Sequence, residues 1–206
     1  MTLELRRQGV GLVLCAPSGT GKSTLTRRLL QEFPGLCFSL SATTRAPRIG
    51  ESHGREYLFL CREEFCARRE AGDFAEWAEV HGNLYGTPLR ETIALFEQGQ
   101  DVLFDVDVQG ASQLRHTLPD CLLVFCFPPS LAVLETRLRG RGTDSEDAIL
   151  RRLKAARQEI AHAHWFDVWI VNDDLDEAYD LLRAVYLSAS LLPRLRPGLV
   201  ADILKG

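Results

Sequence analysis

The 206-residue chain has no apolar run approaching the ~20 residues that a helix needs to cross a bilayer, so a membrane-spanning protein is not expected. None of its six cysteines (Cys15, Cys37, Cys61, Cys66, Cys121 and Cys126) forms a C-x-x-C pair, and two of them lie inside the apolar run 121–127. Buried small hydrophobes in a reducing, cytoplasmic compartment fit that placement better than a disulfide framework, which belongs to short secreted chains. Positive charge is also short: 24 Lys+Arg stand against 28 Asp+Glu, for a net charge of −4. A general nucleic-acid or membrane-surface binder would be basic, so neither partner is expected, and any anion must meet a local cluster. There is no internal repeat or low-complexity linker, and His81, His162 and His164 match no closed zinc spacing. With 46% hydrophobic and 25% charged residues, the chain falls among ordinary globular proteins rather than disordered or collagen-like ones.

What is present is an alternation. Continuous apolar runs at 10–15, 101–105, 121–127 and 168–171 read as strands buried on both faces. Between them, helical patterns cover 22–33, 88–98, 131–139, 145–164 and 175–189. That order predicts an α/β fold with a parallel central sheet covered on both sides, three layers in all. Residues 41–87 break the rhythm. Segments 56–60 and 74–80 alternate rather than run, a helical patch lies at 62–71, and glycines punctuate the whole, which predicts a small, partly antiparallel insert. Residues 140–145 read as a mobile turn, and those after Leu192 as a tail with a short amphipathic piece at 199–204. Arg6-Arg7 before the apolar stretch 10–16 mimics a secretory signal, but Gly9 and Gly11 interrupt it, and the glycine-bearing loop at 16–23 explains the stretch better.

Ala16-Pro-Ser-Gly-Thr-Gly-Lys-Ser23, followed by Thr24, leaves the first strand and opens a helix, the setting in which a Walker A match is credible. Gly19 and Gly21 let the backbone curl so that its N–H groups face an anion, and the helix N-terminus adds its dipole. Lys22 is placed to reach the terminal phosphates and the Ser23 hydroxyl to hold Mg²⁺. Ala16 replaces the first glycine of the motif, a small departure. An acidic partner is expected at the carboxyl end of a neighbouring strand. Asp105 and Asp107 supply it, and strand periodicity would put both on one face, Asp105 reaching the cation through water.

Five segments in register resemble guanylate kinases: Ser41-Ala-Thr-Thr-Arg-Ala-Pro-Arg48, the stretch from Glu76-Trp-Ala-Glu to Leu84-Tyr-Gly-Thr87, Asp105-Val-Asp-Val-Gln-Gly110, Arg137-Leu-Arg-Gly-Arg-Gly-Thr143, and Val171-Asn-Asp-Asp-Leu175. The resemblance runs from about residue 9 to residue 189. It implies Mg²⁺-dependent transfer of the γ-phosphoryl group of ATP to GMP, and to dGMP, within a P-loop fold carrying a GMP-binding insert and a helical lid. The divisions it implies are core at 1–40, insert at 41–87, core at 88–136, lid at 137–157, and core with tail at 158–206.

Each residue carried over has its own chemistry. Guanine presents N1–H and N2–H₂ on one edge, and an ionised carboxylate accepts both. The resemblance gives that role to Glu76, with Asp105 and Asp107 also on the GMP side and the hydroxyls of Ser41 and Thr87 at the guanine carbonyl. Glu79 is a rival acceptor, but three residues along a strand it falls on the opposite face. Arg45 and Arg48, with Tyr57 and Tyr85, match the grip on the GMP phosphate, where a guanidinium fork suits phosphate oxygens. Arg137 and Arg141 fall at i and i+4 around Arg139. Such like charges repel on an isolated helix, and phosphoryl transfer needs cations on its equatorial oxygens. Arg152 would join them when the lid closes, and Asn172 would touch the adenine side through its backbone. Two rivals remain: a guanylate-kinase-like module that binds proteins without catalysis, and a kinase acting on a phosphorylated sugar. The first has no use for Lys22 and Ser23, the second none for Glu76. Oligomeric state is not legible.

Overall fold

The computed structural model describes residues 7–80, 82–140, 142 and 144–205. In chain order the elements are β1 (Gly11–Cys15), α1 (Lys22–Glu32), β2 (Leu36–Phe38), β3 (Ala42–Thr43), β4 (Leu58–Phe59), α2 (Arg62–Glu70), β5 (Phe74–Val80), β6 (Asn83–Pro88), α3 (Leu89–Glu97), β7 (Asp101–Asp105), α4 (Val108–Thr117), β8 (Leu122–Phe127), α5 (Leu131–Arg139), α6 (Glu146–Ala161), β9 (Val168–Val171), α7 (Leu175–Ala189) and α8 (Leu199–Lys205).

Five strands form an all-parallel sheet in the order β2-β7-β1-β8-β9, with the phosphate-loop strand at its centre. Successive side chains of β1 serve opposite layers, as strand geometry requires. Leu12 and Leu14 pack with Leu25 and Leu29 of α1 and with Leu182 and Tyr186 of α7. Val13 and Cys15 pack on the other side with Phe104, Phe125 and the α4 residues Ala111 and Leu114. The expected three-layer α/β fold is therefore present. Beside it stands a four-stranded mixed sheet, β4-β3-β6-β5, in which β3 pairs parallel to β4 and antiparallel to β6. That sheet has its own small core of Ala42, Phe65, Phe74 and Leu84. Helices α5 and α6 share a third, made of Leu134, Leu138, Ile149 and Ala156.

Several expectations need correction. Asp107 does not continue a strand: β7 ends at Asp105, and Asp107 caps α4 by accepting the Gly110 N–H at 2.8 Å. Helix α5 ends at Arg139 with Gly140 as its cap, and the expected i, i+4 pairing of Arg137 falls on Arg141, outside the described residues. Residues 140–145 hold Ser145, which caps α6. Cys15, Cys121 and Cys126 are buried as expected, but Cys61 is exposed and caps α2, its sulfur accepting the Glu64 N–H.

Candidate active site

β1 delivers the chain into the phosphate loop at the carboxyl edge of the sheet. Gly21, at φ +103°, caps α1 in the left-handed region that glycine tolerates best. A β-carbon there would also come within 2.5 Å of the Asn172 amide nitrogen, which braces the loop by donating to the Thr20 carbonyl at 2.6 Å. Ala16 packs against the β1–α1–α7 core, and the Pro17 carbonyl receives the Thr20 N–H at 3.1 Å. The free amides in the first turn of α1 leave a partial positive charge facing the loop.

Lys22 forms an ion pair with Asp105 across the β1–β7 edge. The loop residues, including Ser18, Gly19, Ser23 and Thr24, share a cleft of about 450 Å³ with Asp105, Asp107 and Glu159. The two aspartates thus meet the loop as expected, but one does so as a strand end and the other as a helix cap. Glu159, from α6, is a site residue that the sequence reading does not reach. It lies two helical turns from Arg152, and that seven-residue spacing is the signal available. Burial raises its carboxyl above the ordinary value, against the opposing charge of Lys22.

A hard divalent cation fits this donor set. Ser23 is exposed in the first turn of α1, the Asp105 side chain is 27% exposed, and the donors facing the cleft are hydroxyl and carboxylate oxygens. Among the described residues no three His, Cys, Asp or Glu converge on a point. Mg²⁺ is usually held by one or two protein oxygens together with substrate phosphates and water.

In the insert, β5 carries a bulge between Phe74 and Glu76 that sets Glu76 opposite Thr87 on β6. The bulge breaks strict alternation: Phe74, Ala75 and Glu76 are all buried, and Glu76 is only 8% exposed. Its carboxylate has one side-chain donor, the Thr87 hydroxyl at 2.6 Å. Burial raises its pKa, the nearby charge of Asp107 adds to that, and Thr87 offsets only part. In this arrangement the Thr87 hydroxyl proton points to Glu76. Gly110 makes room for the carboxylate, since a β-carbon there would stand 3.3 Å from Glu76 Oε2. Glu79 is exposed and lies 3.7 Å from Arg62, on the opposite face as its spacing predicted.

Ser41 and Tyr57 line a cavity of about 580 Å³ that reaches Asp105. The Tyr57 and Tyr85 rings meet edge-on at 6.1 Å, and the Arg45 guanidinium lies over Tyr57 at 5.4 Å. Arg48 is exposed at the end of the same loop.

On the α5 side, Arg137 donates to the carbonyls of Asn172 at 3.0 Å and Asp173 at 3.3 Å. Asn172 also donates its own N–H to Phe127, so both of its backbone groups are engaged and its side chain holds the loop. Arg152 pairs with Asp144 at 3.2 Å and approaches the Ser18 hydroxyl at 3.5 Å. Arg139 instead ties α5 to α6 through Glu146, and also pairs with Glu135 on its own helix. Arg141 and His81 lie outside the described residues.

A family model described as guanylate kinase matches residues 8–189. The chain is 63% identical over 199 residues to a guanylate kinase from Oleidesulfovibrio alaskensis, covering 97% of each chain. It is 54% identical over 204 residues to one from Lawsonia intracellularis, covering 99% of this chain and 96% of that one. Among solved structures, guanylate kinase from Anaplasma phagocytophilum superposes with a TM-score of 0.71 at 33% identity, covering 96% of this chain and 94% of the other.

Proposed function

The chain belongs to the guanylate kinase family and transfers a phosphoryl group from ATP to GMP, and on that premise we propose how its residues divide the reaction. Residues 16–24 wrap the ATP phosphates with backbone N–H groups, and Lys22 leaves Asp105 to meet the terminal phosphates. Ser23, with Asp105 through water, holds Mg²⁺, which when bound supplies positive charge to the transferred group. Glu76 accepts the guanine N1–H and N2–H₂ donors with Asp107 beside it, Thr87 orients Glu76, and Ser41 meets the guanine carbonyl. Arg45, Arg48, Tyr57 and Tyr85 grip the GMP phosphate. Arg137, Arg141 and Arg152 place cations where charge builds in the transition state. Asn172 keeps the loop in shape from the adenine side.

In this reading the insert 41–87 and the lid 137–157 close over the core formed by 1–40, 88–136 and 158–206. Closure excludes water, which would otherwise accept the phosphoryl group in place of GMP. The resemblance to guanylate kinases extends the reading to dGMP as a second acceptor. The protein works in the cytoplasm, where both nucleotides are available.

The observation that carries the reading is Glu76: a buried carboxylate with a single side-chain donor among the described residues, close enough to feel the charge of Asp107, which lines the Lys22 cleft. The experiment is ADP formation from MgATP with GMP, and then with AMP, UMP and CMP in turn. GMP should be preferred by at least two decades in kcat/KM, about what a site built to hydrogen-bond its substrate achieves. Equal rates with AMP would overturn the assignment of Glu76, and loss of the GMP rate without Mg²⁺ would support the metal requirement.

A further inference from the structure

The loop that carries Arg45 and Arg48 also carries a carboxylate with no role so far. Glu51 receives Arg45 Nη2 on both of its oxygens, at 2.9 Å each. It also accepts the backbone N–H of Arg48 at 2.8 Å, while its own N–H donates to the Arg48 carbonyl at 3.0 Å. The turn 48–51 is thereby closed from both sides. The other terminal nitrogen of Arg45 donates to the Ala46 carbonyl at 2.8 Å, and the Tyr57 ring covers the guanidinium. The Arg45 and Glu51 side chains are only 15% and 17% exposed, so this is no loose surface pair. The Arg48 amide first, and then Arg45, hold the Glu51 carboxyl below its ordinary value, so it stays an acceptor at neutral pH.

We propose that Glu51 is a positioning residue for GMP: it fixes the Arg45 guanidinium and the turn bearing Arg48 before the nucleotide phosphate arrives. This rests on the reading of Arg45 and Arg48 as the phosphate grip. A rival role for Glu51 is that of a placeholder, an anion occupying Arg45 until phosphate evicts it. Eviction would strip the Arg48 amide of its acceptor and open the turn. A carboxylate anchored at two points, one of them backbone, is built to stay. The benefit is preorganisation. A free arginine loses its rotamer freedom when phosphate binds, whereas one held by Glu51 has already lost it on folding.

The two roles predict opposite signs. Steady-state kinetics with GMP and ATP, and equilibrium binding of GMP and of guanosine, are compared for wild type, Arg45→Ala, Glu51→Gln and Glu51→Asp. Glu51→Gln should raise KM for GMP by about tenfold to a hundredfold, the range for one lost charge-assisted hydrogen bond, with kcat within about threefold. KM for ATP and the affinity for guanosine, which has no phosphate, should not move. Glu51→Asp keeps the charge at shorter reach and should fall between, and it carries the same test if Glu51→Gln does not fold. Adding Glu51→Gln to Arg45→Ala should cost less than Glu51→Gln does in wild type, leaving only the hold on the Arg48 turn. A lower or unchanged KM for GMP in folded Glu51→Gln, with Arg45→Ala impaired, would overturn the positioning role alone. If Arg45→Ala binds GMP as wild type does, the phosphate grip itself is misassigned and the proposal falls with it.

Discussion

Strand β7 begins on one aspartate and ends on another, and the two edges of the central sheet use them differently. At the lower edge Asp101 is 2% exposed and fully occupied. It accepts Arg7 at 2.6 and 2.7 Å, the Val10 N–H at 2.7 Å and the Tyr186 hydroxyl at 2.5 Å. At the upper edge Asp105 shares only Lys22, and in the adjoining insert the buried Glu76 has a single side-chain donor. Burial pushes both Asp101 and Glu76 toward the neutral form. The donors around Asp101 outweigh that push and hold its pKa below the ordinary value, while Glu76 stays raised. A carboxylate whose acceptors are filled by the protein belongs to the fold. We read one buried with its acceptors unfilled as left for a ligand.

If that division holds, damage at the upper edge costs turnover and damage at the lower edge costs stability. Lys22→Ala should show the largest effect, a fall in kcat of about three decades, because a fixed cation on developing charge is lost. Its urea-denaturation midpoint should barely move, since the lost ion pair with Asp105 is partly exposed and worth at most about 1 kcal/mol. Asp101→Ala should do the reverse: about 3 kcal/mol lost in denaturation, from stranding Arg7 and Tyr186, with kcat/KM for GMP retained in the folded fraction. Arg137→Ala should lower kcat by about tenfold to a hundredfold, more than it raises KM for GMP, as expected for a group that acts in the transition state. Loss of GMP affinity alone would move Arg137 to ground-state binding.

The smallest effects concern pH, and here the two carboxylates have opposite signs. The depressed Asp101 contributes stability that is present above its unfolded value, near 3.8, and lost as pH falls through its folded value. The deficit of Asp101→Ala should therefore shrink in acid. The raised Glu76 contributes stability that is full below 4.5 and lost as pH rises through its folded value. Glu76→Gln should accordingly gain on wild type as pH climbs from 4.5. Denaturation curves between pH 3 and 7 check both signs.

The sequence revealed more of the fold's long elements than of its joints. β5, β7, β9, α5 and α7 match the expected ranges, because each is a continuous apolar run, an alternating strand or a clean helical stripe. β2 and β3 have three and two residues, too few for periodicity to register. β6 includes Gly86 and Pro88, which read as breaks, and α4 has Gly110 in its first turn and buries only Gly110, Ala111 and Leu114. With α4 hidden in this way, Asp107 reads as a strand residue rather than a helix cap. At the site, the phosphate loop was legible because its residue types are demanding, whereas Glu76 was reached only through the resemblance to guanylate kinases. Glu51, Glu159 and the bracing role of Asn172 were not legible. Each acts through a partner distant in sequence or through backbone groups, and composition carries no trace of either.

Glu76→Gln tests the central claim most directly, through the ratio of kcat/KM for GMP to that for AMP, beside a melting curve. Gln would turn an NH₂ toward a guanine donor and remove a charged acceptor from the buried site. The ratio should narrow by roughly two decades, chiefly through loss of GMP activity. The melting temperature should hold or rise, because an under-served buried carboxylate is gone. An unchanged ratio in a stably folded variant would contradict the account, leaving Glu76 as a packing residue and the guanine edge to another side chain.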